Sequence, residues 1–98
     1  MIYILVKLQV KNFDALDTFE RQAVKIMDKH SGRMVYALEI SQEDNKGEEI
    51  HLLEFPSEEA FIAYRKDDAH KNLTELRESA ITSTEVTISS KMKNYLLD

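Results

Sequence analysis

The chain has 98 residues, a formal net charge of −5, no cysteine, 43% hydrophobic residues, two glycines and one proline. That length fits one domain with one modest core. The acidic balance argues against sequence-independent nucleic-acid binding and against attraction to an anionic membrane. The missing thiols exclude disulfides, thiolate nucleophiles and cysteine-based metal sites.

The opening stretch, MIYILVKLQV, is apolar but short, with no basic leader and no small-residue cleavage site. No run approaches the ~20 apolar residues of a membrane span. A cytoplasmic protein is the expectation. Ile2, Ile4, Val6, Leu8 and Val10 alternate with Tyr3, Leu5, Lys7 and Gln9. Period two predicts a strand, with the first set on a core face and the second on a mixed one.

Asn12 or Asp14 is placed to cap a helix over roughly 13–30. Leu16, Phe19, Ala23, Ile26 and Met27 recur at spacings of three and four. Asp17, Glu20, Arg21, Lys25, Asp28 and Lys29 are read as its solvated face. Gly32 is expected to end it, since glycine accepts left-handed angles.

Arg33 to Ser41 reads as a second strand, with Met34, Tyr36, Leu38 and Ile40 on one face. The polar stretch from Gln42 to Glu49 reads as a hairpin turn. A third strand runs from Ile50 to Phe55. Pro56 then stops it, because proline cannot donate to a sheet ladder. Ser57 is a good N-cap, and Glu58 and Glu59 suit the positive end of a helix. Ala60, Phe61 and Tyr64 give that helix a buried side. A polar break at 65–69 leads to a second helical piece from about Asp68 to Ser79, with Leu73 and Leu76 inward. Threonine and valine in Ile81–Ser90 predict a last strand.

Residues 1–90 thus form a single ferredoxin-like domain, and 91–98 a short tail with Met92, Tyr95 and Leu96 at helical spacing. The order strand, helix, strand, strand, helix, strand is the split βαβ pattern. It places four antiparallel strands in one sheet with both helices on one face. The other face carries Tyr3 and Leu5, with either Ile50 and Leu52 or the Val35–Ala37 set. So apolar a face needs cover, and a second copy of the chain is the expected lid.

The Glu54-Phe55-Pro56-Ser57 corner, Ala60, Tyr64, the Leu73…Leu76-Arg77 run and the Ser31-Gly32-Arg33 link resemble a small bacterial family of unassigned function. That family lies in the dimeric α/β-barrel superfamily, distantly related to antibiotic-biosynthesis monooxygenases. The resemblance implies a homodimer and a barrel cavity for a small organic molecule. The superfamily also holds haem-degrading enzymes, small isomerases and ligand-sensing modules, among which fold does not choose. This chain has Asp67-Asp68-Ala69-His70 where the family often has Asp-Pro-x-Tyr, and it has no tryptophan.

His70 is a candidate acid or base near neutral pH, set against a plain exposed helix-end histidine. Glu54 shares parity with Ile50 and Leu52 and is the second candidate, with a raised pKa if buried unpaired. Lys7 and Glu85 fall on that face by parity, and Tyr36 and Tyr3 are aromatic candidates for the same cavity. Tyr64 and Arg77 flank His70 and complete the ligand-binding set. His51 has the opposite parity from Glu54. His30, His51 and His70 are too scattered for a metal motif, and no glycine-rich phosphate loop is present. No cofactor is expected. The functional alternatives to a ligand-binding protein are a cofactor-independent monooxygenase or isomerase, and a structural or regulatory module with a filled cavity.

Overall fold

The computed structural model describes residues 1–96. Strand β1 spans Ile2–Val10, helix α1 Phe13–Lys29, β2 Arg33–Ser41 and β3 Gly47–Phe55. Helices α2 (Glu58–Lys66), α3 (Asp68–Lys71) and α4 (Thr74–Ala80) follow, then β4 (Ile81–Ser89). The sheet order is β2-β3-β1-β4, all antiparallel. This is the ferredoxin-like α+β fold, as expected.

The caps form where the sequence puts them. Asn12 Oδ1 accepts from the Ala15 N–H at 3.1 Å, and Ser57 Oγ from the Ala60 N–H at 3.2 Å. The corner after β3 drives Phe55 into the core, where it is fully buried against Phe61 and Tyr64 with ring centroids 5.3 and 5.5 Å away. The core lies between the sheet and α1 and α2. Ile4, Val6, Leu8 and Val10 meet Leu16, Phe19, Ala23 and Met27 there.

Four expectations change. The left-handed residue after α1 is Ser31 (φ 61), not Gly32. Gly32 serves a different need: a Cβ there would lie 2.3 Å from the Phe55 ring. The third strand begins at Gly47, because Asp44 and Asn45 both take left-handed angles (φ 60 each) and close the turn early. Glu49 is therefore a strand residue. The single helical piece from Asp68 to Ser79 is divided between α3 and α4.

The fourth change concerns β2. Its register with β3 shifts between Met34 and Tyr36. The extra residue, Val35, reverses the alternation after it, as a bulge does. Met34 stays opposite Leu53 on the helix side, while Tyr36 and Leu38 lie opposite Leu52 and Ile50 on the outer side. The four residues read as one face are thus split. The outer face holds Ile50 and Leu52 with Tyr3 and Leu5 rather than the Val35–Ala37 set, since Ala37 lies opposite His51 on the helix side.

In the tail, the described part, 91–96, contains a turn and no helix, and Tyr95 and Leu96 are exposed. Residues 97 and 98 lie outside the described residues. Among the described residues no helix is long and apolar enough to cross a membrane.

Candidate functional site

The sheet pleat divides the candidate residues into two groups. Lys7, Tyr36 and Glu54 leave the outer face. Glu54 pairs with Arg33 on the neighbouring strand, and Lys7 lies 3.8 Å from Glu48 and opposite Glu85. Tyr64, His70 and Arg77 lie on the helix side. His70 and Glu54 therefore do not converge, because a sheet stands between them.

The helix-side group opens onto a cleft of about 290 Å³ inside one chain, at the small end of the range for organic ligands, which begins near ~300 Å³. The expected cavity lay between two copies; this one lies between the sheet and the helices. Its floor is Val6, Leu8, His51, Leu53, Thr84 and Val86 from the sheet, and its roof is Phe19, Glu20, Phe61, Tyr64, His70 and Arg77. The apolar members would exclude water from a bound molecule, and the polar members come from six different elements.

Asp67 builds the bend that aims His70 at the cleft. One carboxylate oxygen accepts from the Ala69 N–H at 2.8 Å and caps α3; the other holds His30 Nε2 at 2.8 Å. The bond to His30 holds the Asp67 carboxyl below its usual range. Tyr64 then stands edge-on to His70, centroids 4.8 Å apart, with Phe19 edge-on from the other side at 6.1 Å. Burial lowers the His70 pKa, and Arg77 and Arg65 lower it further, so the ring is neutral at pH 7. Burial pushes the Tyr64 phenol up and keeps it protonated.

Three acid–base residues of this region were not among the candidates, although His51 was read on the face opposite Glu54, where it lies. His51 and Glu49 are both buried and bond at 2.6 Å, each satisfying the other. Glu20, expected in solvent, faces the cleft. Burial raises its pKa to about 7, with Glu49 adding to the rise and His51 and Arg77 opposing it. A signal existed: Glu20 follows Leu16 by four and precedes Ala23 by three, so it continues the buried stripe of α1. Glu49 was hidden by the turn assignment. Arg77 donates from Nη2 to Thr84 Oγ1 at 2.7 Å, which fixes the guanidinium beside the cleft. Among the described residues no group of three or more His, Asp or Glu is placed to hold a metal ion.

These features define a class: a ferredoxin-like domain with an acid–base cleft between its sheet and its helices. The chain belongs to the DUF1330 family, a domain of unknown function, whose pattern it matches over residues 1–95. No curated protein matches it. Among solved structures it is similar to RPA0582 of Rhodopseudomonas palustris, a protein of unknown function, with 16% identity and a TM-score of 0.76 over 95% of this chain and 83% of that one. It is also similar to Atu4242 of Agrobacterium tumefaciens, with 21% identity and a TM-score of 0.72 over 99% and 96%. SnoaB, a cofactor-independent oxygenase of Streptomyces nogalater, has 10% identity and a TM-score of 0.69 over 97% and 96%. The chain is thus a distant relative in fold of the antibiotic-biosynthesis monooxygenases. Identities this low establish shared fold alone.

Proposed function

We propose that this protein is a homodimer that binds one small organic molecule per chain in the cleft between sheet and helices. The observation that carries this reading is the cleft itself. It combines apolar walls with Glu20, His70, Tyr64 and Arg77 facing one space, the usual make-up of a ligand site.

Dimerisation is supported by the outer face. Leu5, Tyr36, Leu38 and Ile40 are 44, 42, 57 and 47% exposed, and lie on one side of the sheet beside Ile50 and Leu52. Burying one such side chain contributes about 1.5–3 kcal/mol. The occupant is a second copy of the chain. Rows of like strands offer each other the same apolar surface, and the flanking Lys7–Glu48 and Arg33–Glu54 pairs leave little net charge to repel. Lys7, Tyr36 and Glu54 are then interface residues rather than ligand contacts.

A thermal-shift screen of small carboxylic acids, ketones and phenols tests the binding reading. A ligand at about 100 times its Kd stabilises the fold by about 2.7 kcal/mol. Hits that lose their effect in Arg77→Met support it. A screen with no hit, or hits indifferent to Arg77→Met, contradicts it.

A further inference from the structure

We propose that the cleft catalyses proton transfer on a small enolisable carbonyl compound, with Glu20 as the base and Arg77 holding the enolate oxygen. This rests on the reading of the cleft as a ligand site.

The cluster is drawn from every wall. Glu20 comes down from α1 and is faced by His51 and Glu49 of β3. Tyr64 and Arg65 of α2, His70 of α3 and Arg77 and Glu78 of α4 complete the charged and titratable groups around the space. Among them, Glu20 is the carboxyl poised to ionise near neutrality, at about 7. Such a group is a stronger base than an ordinary surface carboxylate and is still half ionised at pH 7. Glu49 is engaged by His51, and Glu78 is exposed. Arg77 bears on Glu20, Tyr64 and His70 alike, so it is the cation common to the site.

The step balances without an oxidant or reductant. The Glu20 carboxylate takes a proton from the carbon beside the substrate carbonyl. The C–H electron pair becomes the new C=C bond, and the carbonyl π pair moves onto oxygen. Arg77 meets that developing charge, and the protonated Tyr64 hydroxyl is a second donor toward it. The proton on the Glu20 carboxyl trades with solvent through the open cleft, and Glu20 then delivers a proton to the same carbon, to the oxygen, or to the far end of a conjugated enolate. The product is the exchanged substrate, its enol tautomer or a double-bond isomer. The walls of Phe19, Leu53 and Phe61 suit an apolar body on the substrate.

The test uses the whole chain in D₂O with phenylpyruvate and acetylacetone as probes, following loss of the proton signal beside the carbonyl by ¹H NMR. Wild type is expected to exchange at least one probe about 100-fold faster than buffer, the scale of general-base catalysis. The rate should rise with pH through about 7, as Glu20 loses its proton. Glu20→Gln should fall to the buffer rate. Glu20→Asp, which sets the carboxylate back by one methylene, should lose about tenfold or more, and it serves if the glutamine variant does not fold. Asp17→Asn, on the exposed side of α1, should match wild type. Exchange no faster than buffer for both probes overturns the proposal, as does a wild-type rate in either Glu20 variant. If exchange is absent while Phe61 and Tyr64 resonances shift with phenylpyruvate, proton transfer fails and the binding reading stands. If neither probe exchanges or binds, both fail.

Discussion

His51 and Glu54 lie three residues apart on β3, and their side chains leave opposite faces of the sheet. His51 points to the helices, is 3% exposed and is held by Glu49; Glu54 points away and is held by Arg33. That divergence separates two surfaces of different chemistry, a cleft lined by titratable side chains on one side and an apolar plane on the other.

The cleft side predicts an unusual pH response. Glu20 has a folded pKa of about 7 against an ordinary value of 4.5. The folded state therefore binds more protons than the unfolded state between those values, and stability falls as pH rises through that window. Glu20→Gln removes the penalty. Urea unfolding at pH 8 should show the variant more stable than wild type by on the order of 1–3 kcal/mol, while at pH 4 the two should coincide. A loss of stability at pH 8 would mean that the carboxylate is well solvated or well paired.

Asp67 predicts the opposite sign. Its bond to His30 lowers its folded pKa, so its contribution is present above the unfolded value and is lost as pH falls through the folded one. Asp67→Asn should flatten the acid limb of the stability profile. It should also broaden the NMR signals of His70, which the bend positions. An unchanged acid limb would show the contact with His30 to be idle.

Gly32 should not tolerate a methyl group. The added carbon would meet the Phe55 ring at 2.3 Å, and Phe55 is fully buried against Phe61 and Tyr64. Gly32→Ala is expected to cost about 1–3 kcal/mol, as overpacking does. A drop in the urea midpoint with unchanged slope would be the signature. An unaltered midpoint would mean that the ring can step aside.

The apolar plane predicts a monomerising substitution. Leu38 is the most exposed of its large apolar residues at 57%. Leu38→Arg would place a charge in each half of a sheet-to-sheet interface, where an unpaired buried charge is strongly unfavourable. Light scattering should give twice the chain mass for wild type and the single mass for the variant, with the same circular dichroism. A single chain mass for wild type would contradict the dimer, and twice the mass for the variant would contradict this face as its interface.

Much of the fold was legible. Period two in Ile2–Val10, the Ser57 cap behind Pro56 and the stripe from Leu16 to Met27 each act through local geometry, and each formed as read. The misplacements have physical causes. A bulge at Val35 is one added residue, invisible in composition, yet it turns Tyr36 and Leu38 to the other face. Asp44 and Asn45 closed the turn in left-handed angles, which drew Glu49 into the strand. The site was less legible. His70, Tyr64 and Arg77 proved to share one cleft, whereas Lys7, Tyr36 and Glu54 stand behind the sheet. Glu20 was hidden because charge was taken to mean solvent, although its spacing placed it on the buried stripe.

The most direct test of the cleft is an NMR titration of the labelled protein with the compound that stabilises it most in the thermal screen. Shifts should concentrate on Phe19, Phe61, Tyr64 and His70, which face the 290 Å³ space, and Leu38 and Ile40 should stay where they are. Shifts confined to Leu38, Ile40 and Leu52, with the helix-side residues still, would show that ligand is held on the opposite face and that the cleft is only a packing gap.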